Sequence, residues 1–254
     1  MIKLFNRIKF LNTFIDNVTF EEAIAIIDKF INDGKYHYVV TPNVDHIVKL
    51  EKDEEFKKVY ESADLILTDG MPLIWISKLL KKPIKEKISG SDLFPEVCKM
   101  AAEKGYSVFL LGAGPGVAQK AAEKLMAKYK GLKIAGVYSP PYGFENDEKE
   151  IRKIIEMINQ SKPDILAVGL GAPKQEKFIY KYLSELKVPV SLGIGAAIDF
   201  EAGNIKRAPK WMQRCGLEWF YRFLKEPKRM FKRYFIDDMQ IFRIFLKYKG
   251  ENYD

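Results

Sequence analysis

Two short stretches hold the side chains best suited to acid–base chemistry. In residues 63–75, ADLILTDGMPLIW, an apolar run stops at Asp69-Gly70 and Pro72 follows. Leu65, Ile66 and Leu67 suit a buried strand, Asp69 and Gly70 a turn, and Pro72 the first turn of a helix, where its missing N–H costs nothing. A carboxylate then sits at the C-terminal end of a strand, the edge along which open α/β sheets bind ligands. There it could face a bound ligand. It could equally be an ordinary N-cap, and the local sequence leaves both roles open. The second stretch begins at Tyr38–Val40, a strand running straight into Thr41-Pro42-Asn43-Val44-Asp45. Two strand ends bearing hydroxyl, amide and carboxylate groups could line one cleft. Alternatively, Thr41, Asn43 and Asp45 only cap a helix expected over 46–60.

Other chemistries lack their residues. Gly112, Gly114 and Gly116 make a G-x-G-x-G turn between a strand and a helix, a phosphate-friendly arrangement. Position 117 is Val, however, and the following strand, LKIAGVYS, ends without the acid that holds a ribose, so a nicotinamide dinucleotide has little support. His37 and His46 are the only histidines; there is no H-E-x-x-H, no cysteine pair at metal spacing, no Asp-x-Asp, no G-x-S-x-G and no G-x-x-x-x-G-K. The expectation is an enzyme with no resident metal and no cofactor.

The elements that must position these groups alternate strand and helix through residues 36–200, which predicts a Rossmann-like, mostly parallel, doubly wound α/β sheet. Thr19 and Glu22 fit a capping box ahead of a helix with Phe20, Ala23, Ile24 and Ile27 on one stripe. At 254 residues and 47% hydrophobic content the chain can bury a full core. Two cysteines and no signal-peptide pattern fit a reducing cytoplasm, and no apolar run reaches the ~18 residues that span a bilayer. Of the net charge of +8, +7 lies in residues 206–254, which hold 13 Lys and Arg against 6 Asp and Glu. Residues 1–205 are therefore expected to form the catalytic α/β unit, with a subdomain break near 85–105, and 206–254 a basic helical appendage. Trp211, Cys215, Trp219 and Phe223 would form one aromatic helical stripe, and basic residues beyond Pro227 interleave with aromatic ones. Such a tail suits a polyanionic surface: an anionic membrane, or nucleic acid.

The blocks TPNVDHIVKL, ADLILTDGMPLIW, SGSDL, LLGAGPGVAQKAA, SPPYGF, GLGAPKQE, GIGAAIDFEAG and RAPKWMQRCGLEWFYRFLKEPKR together resemble the WecG/TagA/CpsF glycosyltransferase family, over about residues 13–235. The resemblance implies a bacterial, metal-independent, inverting enzyme of the inner membrane face, cytoplasmic and peripheral. It would move an N-acetylmannosamine-type sugar from UDP to N-acetylglucosamine on a polyprenyl diphosphate, in one branch making the linkage disaccharide of wall teichoic acid. Another UDP-sugar, such as the uronate, fits the family too. By position, Asp69 matches the general base and Thr41 its neighbour. Asn43 and Gln175 match substrate contacts, and Asp199 lies in the nucleotide block. Lys87 stands where the family usually has Arg, which forfeits a two-pronged diphosphate contact. Charge on the leaving diphosphate would fall to Lys87, Lys174 or Arg207 and to helix N-termini behind the turn of Gly112 and Gly114. Arg222, Arg229 and Arg233 are the candidates for membrane and acceptor binding. No nucleic-acid partner is implied, and a homo-oligomer is compatible with the sequence.

Overall fold

A computed structural model describes residues 6–250, the side chains of Arg214 and Arg229 excepted. An antiparallel hairpin of β1 (Arg7–Phe10) and β2 (Thr13–Asp16) precedes a six-stranded sheet. The sheet contains β3 (His37–Val40), β4 (Leu65–Ile66), β5 (Ser107–Gly112), β6 (Lys133–Tyr138), β7 (Ile165–Gly169) and β8 (Val190–Gly193) in the order β4-β3-β8-β7-β5-β6. Every pair in it is parallel. The strands read as near-continuous apolar runs because both faces are covered. Their alternation assigns Val39, Leu65, Leu110 and Leu192 to one core, and Tyr38, Val40, Ile66, Leu111 and Val168 to the other.

Helices Phe20–Asn32, Gly90–Lys104, Val117–Lys128 and Ala197–Ala202 close the first core; Val44–Leu50, Glu54–Glu61, Met71–Leu79, Glu148–Ser161 and Lys174–Leu186 close the second. The expected doubly wound α/β architecture is present. β8 sends its helix to one face while its neighbours β3 and β7 send theirs to the other. The chain therefore parts above the C-terminal end of β8, the place where open α/β sheets hold their ligand crevice, between the loops after β3, β7 and β8.

Two local contacts hold the edge strand that leads to Asp69. Arg7 grips Asp16 with two bonds of 2.7 and 2.8 Å and reaches the carbonyls of Ala63 and Asp64, while Asp16 Oδ2 accepts the Ile66 N–H at 2.8 Å. A strand of only two residues is thereby pinned by a charged bridge from the hairpin.

Two expectations need correction. The helix over 46–60 is two helices, because the Asp53 side chain accepts the Phe56 N–H at 2.9 Å and starts the second. Residues 85–105 join β4 to β5 within one sheet, and Gly90–Lys104 buries Leu93, Phe94, Val97 and Cys98 in the shared core. The tail does not carry one aromatic helical stripe. It folds as Lys210–Arg214, Glu218–Lys225, Pro227–Lys232, a π-helical turn Arg233–Asp237, and Gln240–Tyr248. Gly216 (φ +73°) breaks the stripe where the chain passes so close to Met71 that a Cβ would lie 2.9 Å from its side chain. The last helix is anchored, with Ile241 and Ile244 in the same core as Ile47 and Phe56, and Lys247 and Tyr248 bonded to Glu51.

Candidate active site

Beyond β4 the chain keeps pairing with β3: Leu67 N–H donates to Val40 O at 2.9 Å and Asp69 N–H to Pro42 O at 2.8 Å. The two candidate loops are therefore laced together. The helix Met71–Leu79 takes Gly70 (φ +98°) as its N-cap and has no side-chain cap, so the capping role left open for Asp69 is removed. Among the described residues no donor bonds the Asp69 carboxylate. Solvent touches the residue, yet protein surrounds it on nearly all sides. Burial pushes its carboxyl above the usual range; Lys87 and His46 pull it back, and Glu218 and Asp92 add to the rise. A carboxylate so placed is a stronger proton acceptor than an exposed one.

Thr41 is buried at the end of β3. Asn43 does cap the next helix: its Oδ1 lies 3.4 Å from the His46 N–H and 2.7 Å from His46 Nδ1. Gln175, also buried, crosses to β8, where its Oε1 accepts the Gly195 N–H at 3.0 Å; its Nε2 donates to Glu176 Oε1 at 2.7 Å. Thr41, Asn43, Asp69 and Gln175 are thus gathered around the mouth of the crevice.

Lys87 and Arg207 also come together, through an acid. Lys87 Nζ lies 2.7 Å from Asp92 Oδ2, which also accepts from Ser89 Oγ at 2.6 Å; Arg207 Nη1 lies 2.7 Å from Asp92 Oδ1 and its Nε 3.1 Å from Glu218. Burial raises the Asp92 carboxyl, but its bond to Arg207 and then Lys87 and Ser89 outweigh this and hold it at about 2. Arg207 Nη2 is buried with no hydrogen-bond partner among the described residues. Lys174 is otherwise engaged, with Glu145 and over the ring of Tyr142.

The glycine turn lies elsewhere. β5 is four strands from β4, about 19 Å at the usual strand spacing, so Gly112 and Gly114 are not beside Asp69. Gly112 (φ +120°) is needed for packing, since a Cβ would meet Gly169 O at 2.4 Å. Asp199 opens the helix after β8, half-buried on the opposite side of the sheet from the helix that Gln175 begins.

Residues 8–254 match the model of the Glycosyl transferase WecG/TagA/CpsF family. The chain belongs to this family. Among its relatives are the N-acetylglucosaminyldiphosphoundecaprenol N-acetyl-beta-D-mannosaminyltransferases of Bacillus subtilis (36% identical; 84% of this chain, 81% of the relative) and Bacillus spizizenii (34%; 85% and 82%). The Staphylococcus aureus enzyme of the same name is 29% identical over 88% of this chain and 87% of its own.

In this WecG/TagA/CpsF glycosyltransferase the C-terminal segment packs against the helices that follow β3 and β4, and two of its arginines, Arg222 and Arg233, turn toward the body of the protein. Arg222 sits over the ring of Phe200, 5.8 Å from its centre, and Arg233 lies 4.0 Å from Asp45 and 3.9 Å from Asp238. The Arg229 side chain lies outside the described residues. Lys225, Lys228 and Lys232 are exposed, among exposed Leu224, Phe231, Phe235 and Ile236. No described helix is long and apolar enough to cross a membrane.

Four groups of the site escaped the sequence reading: His46, Glu176, Asp92 in its bridging role, and Glu218. Only His46 had a local signal, since it stands three residues after Asn43, the spacing of a reciprocal cap. The others act across elements distant in sequence.

Proposed function

We propose that the protein transfers N-acetylmannosamine from UDP-N-acetylmannosamine to N-acetylglucosaminyl-diphospho-undecaprenol, with inversion, forming the β-1,4-linked disaccharide on which wall teichoic acid is built. The activity for which the three relatives are named supports the sugar and the acceptor. One structural observation carries the chemistry: a carboxylate without a donor, Asp69, at the ligand edge of the sheet, facing the Lys87–Asp92–Arg207 cluster.

In the single displacement, the acceptor hydroxyl gives its proton to Asp69 as its oxygen bonds to the anomeric carbon. The bond from that carbon to the UDP oxygen breaks with its electron pair, leaving UDP with the added negative charge. Lys87 and Arg207 meet this charge in place of a divalent ion, already held in position by Asp92 and so needing little reorganisation. Thr41 orients the base or the sugar, Asn43 and Gln175 hold the donor, and Asp199 with the glycine-lined ends of β5, β7 and β8 accommodates the nucleotide. Residues 1–205 are the catalytic unit and 206–254 its cover.

A polyprenyl acceptor remains in its leaflet, so the enzyme must come to it on the cytoplasmic face. Lys225, Lys228 and Lys232, each contributing about 1 kcal/mol near an anionic surface, together with the apolar side chains among them, form the docking face.

The test is incubation with a panel of UDP-sugars and a short-chain lipid-diphosphate N-acetylglucosamine, with and without chelator. Product of the mass expected for an added N-acetylhexosamine from UDP-N-acetylmannosamine alone, unaffected by chelator, is the expected result. Transfer of a different sugar would replace the donor, and chelator sensitivity would overturn the metal-free mechanism.

A further inference from the structure

Glu176 is a carboxylate whose side chain is only 1% exposed, yet just one of its oxygens is engaged. Oε1 accepts from Gln175 Nε2 at 2.7 Å and lies 3.4 Å from His46 Nε2, while Oε2 has no hydrogen-bond partner among the described residues. His46 is itself buried beside the rings of Phe56 and Tyr60, their centres 6.2 and 6.1 Å away, and its other nitrogen meets Asn43 Oδ1 at 2.7 Å. An unbroken chain of polar contacts therefore runs from Asn43 after β3, through His46, Glu176 and Gln175, to the Gly195 N–H after β8.

Such a pair is a poor device for stability alone. Removing a carboxylate and an imidazole from water is costly, and apolar side chains of the same volume would serve the core as well or better. What apolar groups cannot do is choose the direction of an amide. Because Glu176 accepts only, it fixes the Nε2 end of Gln175 toward itself and leaves Oε1 for the Gly195 N–H. His46 does the same for Asn43: its backbone N–H donates to Asn43 Oδ1 at 3.4 Å and its ring Nδ1, held by the Glu176 contact, lies 2.7 Å from the same oxygen, so the Oδ1 end turns to His46 and the Nδ2 end is left for the cleft.

We propose that His46 and Glu176 are positioning residues for the transfer, a buried pair that orients the Asn43 and Gln175 amides toward the donor and keeps the loops after β3, β7 and β8 in one arrangement. The inference rests on the reading that Asn43 and Gln175 touch substrate. Neither His46 nor Glu176 contacts the reacting atoms.

The experiment uses the full chain and three substitutions of matched shape. Glu176→Gln removes the charge, His46→Gln keeps a group near Nε2, and His46→Asn keeps one near Nδ1. Steady-state kinetics with UDP-N-acetylmannosamine and the lipid-diphosphate acceptor are normalised to folded protein by circular dichroism. Each substitution is expected to lower kcat/KM about 10- to 100-fold in protein that remains folded, the cost of misplaced substrate contacts. The double variant Glu176→Gln/His46→Gln is expected to lose no more than the worse single one, since the two act as a unit. Values of kcat/KM within about 2-fold of wild type, with only the melting temperature changed, would overturn the proposal, as would losses that multiply in the double variant. Should Glu176→Gln fail to fold, the two His46 variants carry the same comparison. If the wild type transfers sugar from no UDP-sugar of the panel, the functional reading is what fails. The pair is then judged by calorimetry with UDP: binding weakened about 5-fold or more in the variants sustains it and equal affinity ends it.

Discussion

Arg207 reaches back from the start of the C-terminal segment to Asp92 near the N-terminus of a core helix, Nη1 to Oδ1 at 2.7 Å, and so ties that segment to the α/β sheet unit. The same carboxylate holds Lys87 on its other oxygen. Held at about 2 against an ordinary value near 3.8, Asp92 stabilises the fold at pH values above about 4, and this contribution is lost as pH falls toward 2. Asp92→Asn is expected to cost on the order of 1–2 kcal/mol at neutral pH, with wild-type and variant denaturant curves converging near pH 2. It should also raise KM for the UDP-sugar, because Lys87 and Arg207 lose their common anchor.

Asp69→Asn should leave the fold intact and lower kcat by about 10²- to 10⁴-fold, measured with donor and acceptor saturating. Because burial lifts the Asp69 carboxyl, the acid limb of the wild-type rate profile should fall above the usual carboxylate range. The stability sign runs the other way from Asp92. With its folded value raised, the stabilising contribution of Asp69 is present below its unfolded value near 3.8 and lost as pH climbs through the raised one. The amide variant should therefore melt higher than wild type at pH 7.

The two kinds of cation in the C-terminal segment should separate by experiment. Charge reversal of Lys225, Lys228 and Lys232 is expected to abolish sedimentation with anionic vesicles while leaving transfer to a soluble, short-chain acceptor near normal. Arg222→Ala and Arg233→Ala should do the reverse, altering turnover with lipid binding largely kept, since both side chains face the body of the protein.

Asp238 offers a pH-dependent hold on the cover. Burial raises its carboxyl to about 6 against the pull of Arg233, with Asp45 and Asp237 adding to the rise and Lys49 opposing it. Its stabilising contribution is complete below about 4 and lost as pH rises through about 6. Asp238→Asn should thus raise stability above pH 6, by an amount on the order of 1–3 kcal/mol, and with it the melting temperature, and change little below pH 4. Thermal scans at pH 4 and pH 7.5 decide it.

The period-2 and near-continuous apolar runs around Tyr38–Val40, Leu65–Leu67 and Ile165–Val168, each followed at once by polar or glycine residues, determined the parallel α/β class and put Thr41, Asn43 and Asp69 at strand ends, because burial periodicity and turn chemistry are local properties. The chain could not show that Asp69 caps nothing, since a cap is defined by backbone angles at Gly70. It could not set Gly112 and Gly114 four strands from Asp69, because strand order depends on crossovers that no single segment encodes. Tertiary structure alone turned Arg222 and Arg233 inward and Lys225, Lys228 and Lys232 outward, paired Glu218 with Arg207, and joined Asn43 to Gln175 through His46 and Glu176. Those pairings bridge residues far apart in sequence, and their energies come from burial and charge that exist only once the two faces of the sheet have closed.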